Sequence, residues 1–378
     1  MNNIFQDITK SFSGIFKGRS RGSVIGVDVG SSAIKIVQLK NENGVAVLET
    51  YGAVSFGSYV ENAYVGQAVN PNHDQTIQAM GDLMKEANIT TADSAVAIPS
   101  ASSLVFLLEI PSTVTQKDLA TVIPTEARRY IPVPITEVSL DWWVIPEAQI
   151  IEGTDDSPHQ DIQNKKHSKR VLVAAIHNEA LGRFQEVVRD AKLATGFFEI
   201  EMFSNVRSCV GQDLSTVVLI DFGASKTKVS IVNRGVLQDF HIINRGSQDV
   251  TRVLATGLNL TLKKAEEVKK KVGLGESSEF PQTSSIISGS LEYVMAEINN
   301  VILGYEKKHN QSINKILITG GGSAMNGLVE YATSKFPAPV LKSNPFSQVK
   351  TPAFLDPVLA EVGSEFGVAL GLAMRKLT

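Results

Sequence analysis

Residues 24–37 and 217–230 carry the same pattern of apolar and polar positions. Each opens with an apolar run, Val24-Ile25-Gly26-Val27 in one and Val217-Val218-Leu219-Ile220 in the other, which predicts a buried strand. Each then passes through an Asp, a spacer, a Gly and a small polar turn into a second β-rich run. Asp28 and Asp221, Gly30 and Gly223, Ser32 and Ser225, and Lys35 and Lys228 fall in register. The copies lie much further apart than the ~20–50-residue period of a solenoid, so the repeat predicts two similar lobes.

The remaining pattern alternates strands with helices. Residues 45–48 continue the first alternation, and 75–87 have helical period. Strands are expected at 95–99 and 104–108, then a helix over 117–130, bent at Pro124 and stopped by Pro132 and Pro134. Residues 140–145 predict a strand that sends Trp142 and Trp143 to opposite faces. Almost nothing apolar occurs over 152–169, which predicts a solvent-exposed loop; His159 and His167 there have no partner at metal-ligand spacing. A strand at 171–176 and a helix at 179–191 follow. Residues 263–272 predict a charged helix. Residues 288–309 predict an amphipathic one whose Leu291, Val294, Met295, Ile298, Ile302 and Tyr305 form a core stripe. A strand at 316–319 runs into Gly320-Gly321-Gly322. Strands and helices in alternation indicate an α/β class.

Length and charge narrow the reading. A chain of 378 residues suits two or more domains. Its net charge of -3, from 36 basic and 39 acidic residues, lacks a nucleic-acid footprint. The single cysteine, Cys209, rules out a disulfide framework and fits a reducing compartment; no His or Asp motif accompanies it, so it is expected in the core. No apolar stretch is expected to reach the roughly 20 residues that cross a bilayer. Residues 1–23 stand apart. Ile4, Ile8, Phe12, Ile15 and Phe16 recur at helical spacing, beside Lys10, Lys17, Arg19 and Arg21. Two readings remain for this segment: a surface helix touching a membrane or partner, or a tail lying on its own domain.

The turns suit a polyphosphate. Gly30-Ser31-Ser32 and Gly223-Ala224-Ser225 supply backbone amides, and small residues let the main chain approach closely. Asp28 and Asp221, just before those turns, are placed to hold Mg²⁺ through water. Gly320-Gly321-Gly322 would let the chain lie flat against a planar base or the first phosphate.

Two such hairpins, a triple-glycine turn and the small-residue run 366–373 together resemble the actin-like ATPases. The resemblance implies a two-lobed fold of duplicated ribonuclease H-like domains that binds ATP and Mg²⁺. The hairpins would be phosphate loops and the triple glycine would abut the adenosine. Ala265-Glu266-Glu267-Val268-Lys269 is similar to the Ala-Glu-x-x-Lys stretch of MreB and FtsA, which implies that Glu266 and Lys269 meet the ribose and base. From the residues alone, those two sit on a solvated helix face.

Four segments narrow the resemblance to the PilM family of type IV pilus assembly: 25–32, 126–141 with Tyr130-Ile131-Pro132-Val133-Pro134, 221–225, and Asn344-Pro345-Phe346. This implies a cytoplasmic, ATP-binding scaffold at the inner face of the cytoplasmic membrane. Its partner would be the N-terminal peptide of a PilN-like membrane protein, held in a groove beside an inserted subdomain. It leaves open contact with pilus motor ATPases and self-association. The expected division is a tail at 1–23; a first-lobe core of 24–91, 171–210 and 354–378; an inserted subdomain at 92–170; a second-lobe core of 211–250 and 315–353; and a helical subdomain at 251–314.

Departures bear on catalysis. Lys35 joins the first phosphate turn; Lys226 stands where relatives have Thr, either to neutralise phosphate or to face solvent. Glu201, at a strand-to-helix junction, is the candidate for orienting an attacking water, or simply a helix-start carboxylate. A slow ATPase at most is expected, and no Asp base for a kinase stands out. The alternative is a filament-forming ATPase or membrane-linked anchor of the FtsA or MreB kind. The chain's end directly after the small-residue helix counts against an FtsA-type C-terminal anchor.

Overall fold

The computed structural model describes residues 22–146 and 168–377. The tail expected to be amphipathic, and most of the 152–169 loop with His159 and His167, lie outside the described residues.

The strands are β1 (Ser23–Val29), β2 (Ala33–Glu42), β3 (Val45–Ser55), β4 (Asp93–Ile98), β5 (Ser103–Pro111), β6 (Val138–Val144), β7 (Ser168–His177), β8 (Ala194–Ile200), β9 (Val217–Phe222), β10 (Thr227–Asn233), β11 (Val236–Ile243), β12 (Lys315–Thr319) and β13 (Val340–Lys342). The helices are α1 (His73–Glu86), α2 (Leu119–Ala127), α3 (Asn178–Asp190), α4 (Glu201–Cys209), α5 (Ser247–Gly257), α6 (Leu262–Lys271), α7 (Thr283–His309), α8 (Leu328–Thr333), α9 (Asp356–Val362) and α10 (Gly367–Leu377).

Two sheets share one topology. The first runs β3-β2-β1-β4-β8 and the second β11-β10-β9-β12-β13. In each, the first three strands are antiparallel and the last two join in parallel. The duplicated hydrophobic pattern therefore appears as duplicated architecture, the actin-like fold. β1 is buried on both faces: Ile25 and Val27 pack with Met80 and Leu83 of α1, and Val24 packs with Ala369 and Leu370 of α10. Gly26 shares the Val24 face, and a Cβ there would strike the Ala369 carbonyl, so glycine lets α10 lie directly on the strand.

The third sheet runs β5-β7-β6. This moves the expected edges of the inserted unit. β4, assigned to it, pairs in parallel with β1, while β7, assigned to the first lobe, is the middle strand of the third sheet. An apolar strand does not announce which sheet it joins. Ser168 and Lys169, expected in the loop, already belong to β7. Trp143 packs with Leu172, Ile200 and Leu219, and Trp142 against Ile123 and Val173 on the other face, as the alternation required.

Two further expectations change. Phe346, placed with the second lobe, packs on the first sheet's cluster beside Tyr51 and Phe366, and Leu48 donates to the Lys350 carbonyl at 2.9 Å. The run Ala353–Leu377 is long and apolar enough to cross a membrane by length and composition. It is instead divided among two 3-10 turns, α9 and α10, and 61% of its most apolar window is buried, as a core segment would be. Cys209 is buried as expected, and burial pushes its thiol up to about 11, which leaves it unreactive.

Candidate functional site

Both hairpins leave their central strands at corresponding ends. Asp28 is the next-to-last residue of β1, and Asp221 holds the same position in β9. Gly30 N donates to Ala33 O at 3.0 Å, and Gly223 N to Lys226 O at 3.1 Å, so the same turn closes both. The returning strands then set a lysine across from each aspartate: Lys35 is the register partner of Asp28, and Lys228 of Asp221.

The turns meet across one cavity of about 1270 Å³, where Ser225 Oγ donates to Ser31 Oγ at 3.2 Å. A second link between the lobes runs from Ala68 N to Gln248 Oε1 at 2.6 Å. All the sequence-derived candidates line this cavity: Asp28, Gly30, Ser31, Ser32 and Lys35 from one turn, and Asp221, Gly223, Ala224, Ser225 and Lys226 from the other. Glu201, Glu266, Lys269, Gly320, Gly321 and Gly322 complete the set.

Gly320 and Gly322 bring the main chain against Asp221 and Phe222. Gly320 has φ +86°, and a Cβ on it would fall on Asp221 Oδ1. One on Gly322 would enter the Phe222 ring. Gly320 N and the Thr319 hydroxyl both donate to Ser364 O, at 3.0 and 2.7 Å, tying this turn to the segment that leads into α10.

The electrostatic centre is Lys228, which the sequence reading aligned with Lys35 but did not assign to the site. Its Nζ lies 2.7 Å from Glu201 Oε2 and 3.2 Å from Asp221 Oδ2. Burial opposes its charge, but Asp221, Glu201 and Asp28 outweigh it and raise the lysine above its ordinary value. Asp28 is pushed up to about 6, chiefly by burial, with Lys35 and Lys228 pulling against that push. Glu201 begins α4, and Ser100 N donates to its Oε1 at 2.7 Å, so both its oxygens are engaged.

Glu266 and Lys269 are not on a solvated face; each is only 6% exposed. They pair at 2.7 Å, and Glu266 Oε2 also accepts the Thr251 hydroxyl at 2.6 Å. Lys269 donates to Ser247 O at 3.1 Å and to Thr251 Oγ1 at 2.9 Å. Packing of α6 on α5 buries both residues, and burial lowers the Lys269 pKa.

Asp28 and Asp221, expected to hold Mg²⁺ through water, both line the cavity. Among the described residues no group of three or more His, Cys, Asp or Glu side chains is arranged to hold a metal ion. The Lys228 ammonium bridges Asp221 and Glu201, so a divalent cation there would meet a like charge.

The family model described as type IV pilus assembly protein PilM matches residues 26–377. The chain is 25% identical over 323 residues to cell division protein FtsA of Neisseria meningitidis, covering 75% of this chain and 77% of that protein. FtsA of Bacillus subtilis is 21% identical over 337 residues, 82% of this chain and 75% of the relative. Among solved structures, the PilM-PilN type IV pilus biogenesis complex superposes with a TM-score of 0.77 at 23% identity, over 95% of this chain and 99% of that one. Ethanolamine utilization protein EutJ from Carboxydothermus hydrogenoformans follows with a TM-score of 0.53 at 15% identity, over 98% and 97%. With its duplicated sheets, paired hairpins and a family match over nearly the whole length, the chain belongs to the family of type IV pilus assembly protein PilM.

Proposed function

We propose that this chain is an ATP-binding scaffold of a type IV pilus assembly platform at the inner face of the cytoplasmic membrane. One observation carries the nucleotide reading: two corresponding amide-rich turns face each other across a cavity of about 1270 Å³ that also holds the Gly320–Gly322 turn. The triphosphate lies between the turns, with its charge met by backbone amides and by Lys35, Lys226 and Lys228. The adenosine end lies toward Gly321, Glu266 and Lys269. Glu201, engaged by Ser100 and Lys228, holds the lysine in place, which favours binding over turnover.

The partner is the cytoplasmic N-terminal peptide of a PilN-like membrane protein. The superposable relative was solved as a PilM-PilN complex, and the third sheet here ends in the edge strand β6, beside which an extended peptide can lie. In this reading the nucleotide sets the arrangement of the lobes that the peptide meets.

Two measurements test this. Calorimetry should show ATP binding to the whole chain that Gly321→Asp abolishes; unchanged binding refutes the cleft. Fluorescence anisotropy with a labelled N-terminal peptide from the PilN-like protein of the same organism should show saturable binding. Its absence refutes the scaffold role.

A further inference from the structure

We infer that Lys228 takes the place of a divalent cation in this cleft, so that the chain binds ATP without metal. The inference rests on the nucleotide reading above and specifies how that site neutralises phosphate.

The β9–β10 hairpin puts Lys228 directly across from Asp221, and β1–β2 does the same with Lys35 and Asp28. The Lys228 ammonium lies 3.2 Å from the Asp221 carboxylate, while Lys35, across from Asp28, directs its own ammonium to Glu365 at 3.8 Å. Lys228 also reaches Glu201 at the start of α4, at 2.7 Å, and so sits between two carboxylates of the cavity wall. The arrangement is part of the wall and needs no ion from solution.

Charge along the turns agrees. Over residues 28–35 and 221–228 the charged residues are Asp28 and Asp221 against Lys35, Lys226 and Lys228. The loops that would cradle the phosphates are therefore net positive by themselves, which a metal-dependent pair of aspartates is not. The Lys228 side chain is 19% exposed and lines the cavity, so a phosphate oxygen can reach it while Glu201 and Asp221 keep it oriented. A buried ion pair with structural duty alone would be closed off from the cavity. A lysine is a point charge with three donors, and two carboxylates leave one N–H for a ligand.

Calorimetric titration of the whole chain with ATP, in excess MgCl₂ and then in excess EDTA, tests this. The dissociation constants should agree within about threefold. Lys228→Met should lose at least about tenfold in EDTA and regain part of it in MgCl₂, because the freed carboxylates then accept the metal. Wild-type binding that appears only with MgCl₂ overturns this inference and leaves the nucleotide reading intact. Absence of ATP binding in both media overturns both. The wild-type comparison decides the matter even if Lys228→Met does not fold.

Discussion

Gly320 rests on Asp221: at φ +86° its missing Cβ is the space that the Asp221 carboxylate occupies. The second Asp-Gly turn and the triple-glycine turn are thus one unit, joined in parallel through β9 and β12. Gly320→Ala must either rotate Asp221 away from Lys228 or leave its own left-handed backbone. The substitution should cost about 1–3 kcal/mol of stability and weaken ATP binding at least about tenfold. Thermal unfolding and calorimetry on the same preparation check both parts. Unchanged ATP affinity would show that Asp221 is not positioned by this contact.

Glu266 and Lys269 form a buried pair on the cavity wall, and the proposed function puts the nucleoside end of ATP against it. Lys269→Met should weaken ATP by about tenfold while leaving inorganic tripolyphosphate within about twofold. Competition of the two ligands against a fluorescent ATP analogue separates the ends of the site. Equal losses for both ligands would place Lys269 with the phosphates.

Glu199 holds a different kind of centre. It is fully buried in β8, where Arg207 of α4 donates to it at 2.8 Å and Arg375 of α10 at 2.6 Å. Burial raises its pKa, but the two guanidinium groups overcome that and hold it at about 2, below the ordinary 4.5. A lowered carboxylate contributes stability above its unfolded value and loses it as pH falls through the folded one, here between 4.5 and about 2. Glu199→Gln leaves two buried cations under-compensated and should cost about 3–5 kcal/mol at neutral pH. Denaturant unfolding should show that this difference shrinks below pH 4.5. A pH-independent difference would assign the loss to packing.

The lobes and the two Asp-Gly turns were legible because they rest on short-range pattern: an apolar run, Asp, Gly and a small polar turn, written twice. The triple glycine and the Trp142–Trp143 alternation were legible for the same reason. Sheet membership was not. β4 and β7 are both apolar strands, and only long-range pairing assigns them to different sheets. Lys228 lay in plain register with Lys35, yet its role depends on Glu201 arriving from α4, which no local pattern encodes. Glu266 and Lys269 read as a solvated face because helical spacing does not reveal that α5 covers them.

Asp28 supplies the opposite pH signature to Glu199. Burial, reinforced by Glu201 and Asp221 and opposed by Lys35 and Lys228, raises it from 3.8 to about 6. A raised carboxylate adds nothing below its unfolded value, where both states are protonated. As pH climbs from 3.8 through about 6, the unfolded chain ionises first and folding loses the difference, so the full cost stands above about 6. Asp28→Asn removes the buried charge without removing the side chain. It should therefore raise unfolding stability by about 1–3 kcal/mol at pH 8 and change it little at pH 4, the mark of a residue kept for its site at the expense of the fold. Chemical denaturation of both proteins across that range measures it. Equal stabilisation at pH 4 and pH 8 would mean that charge is not the cause, and a loss at pH 8 would mean that Lys35 and Lys228 depend on Asp28 more than burial opposes it.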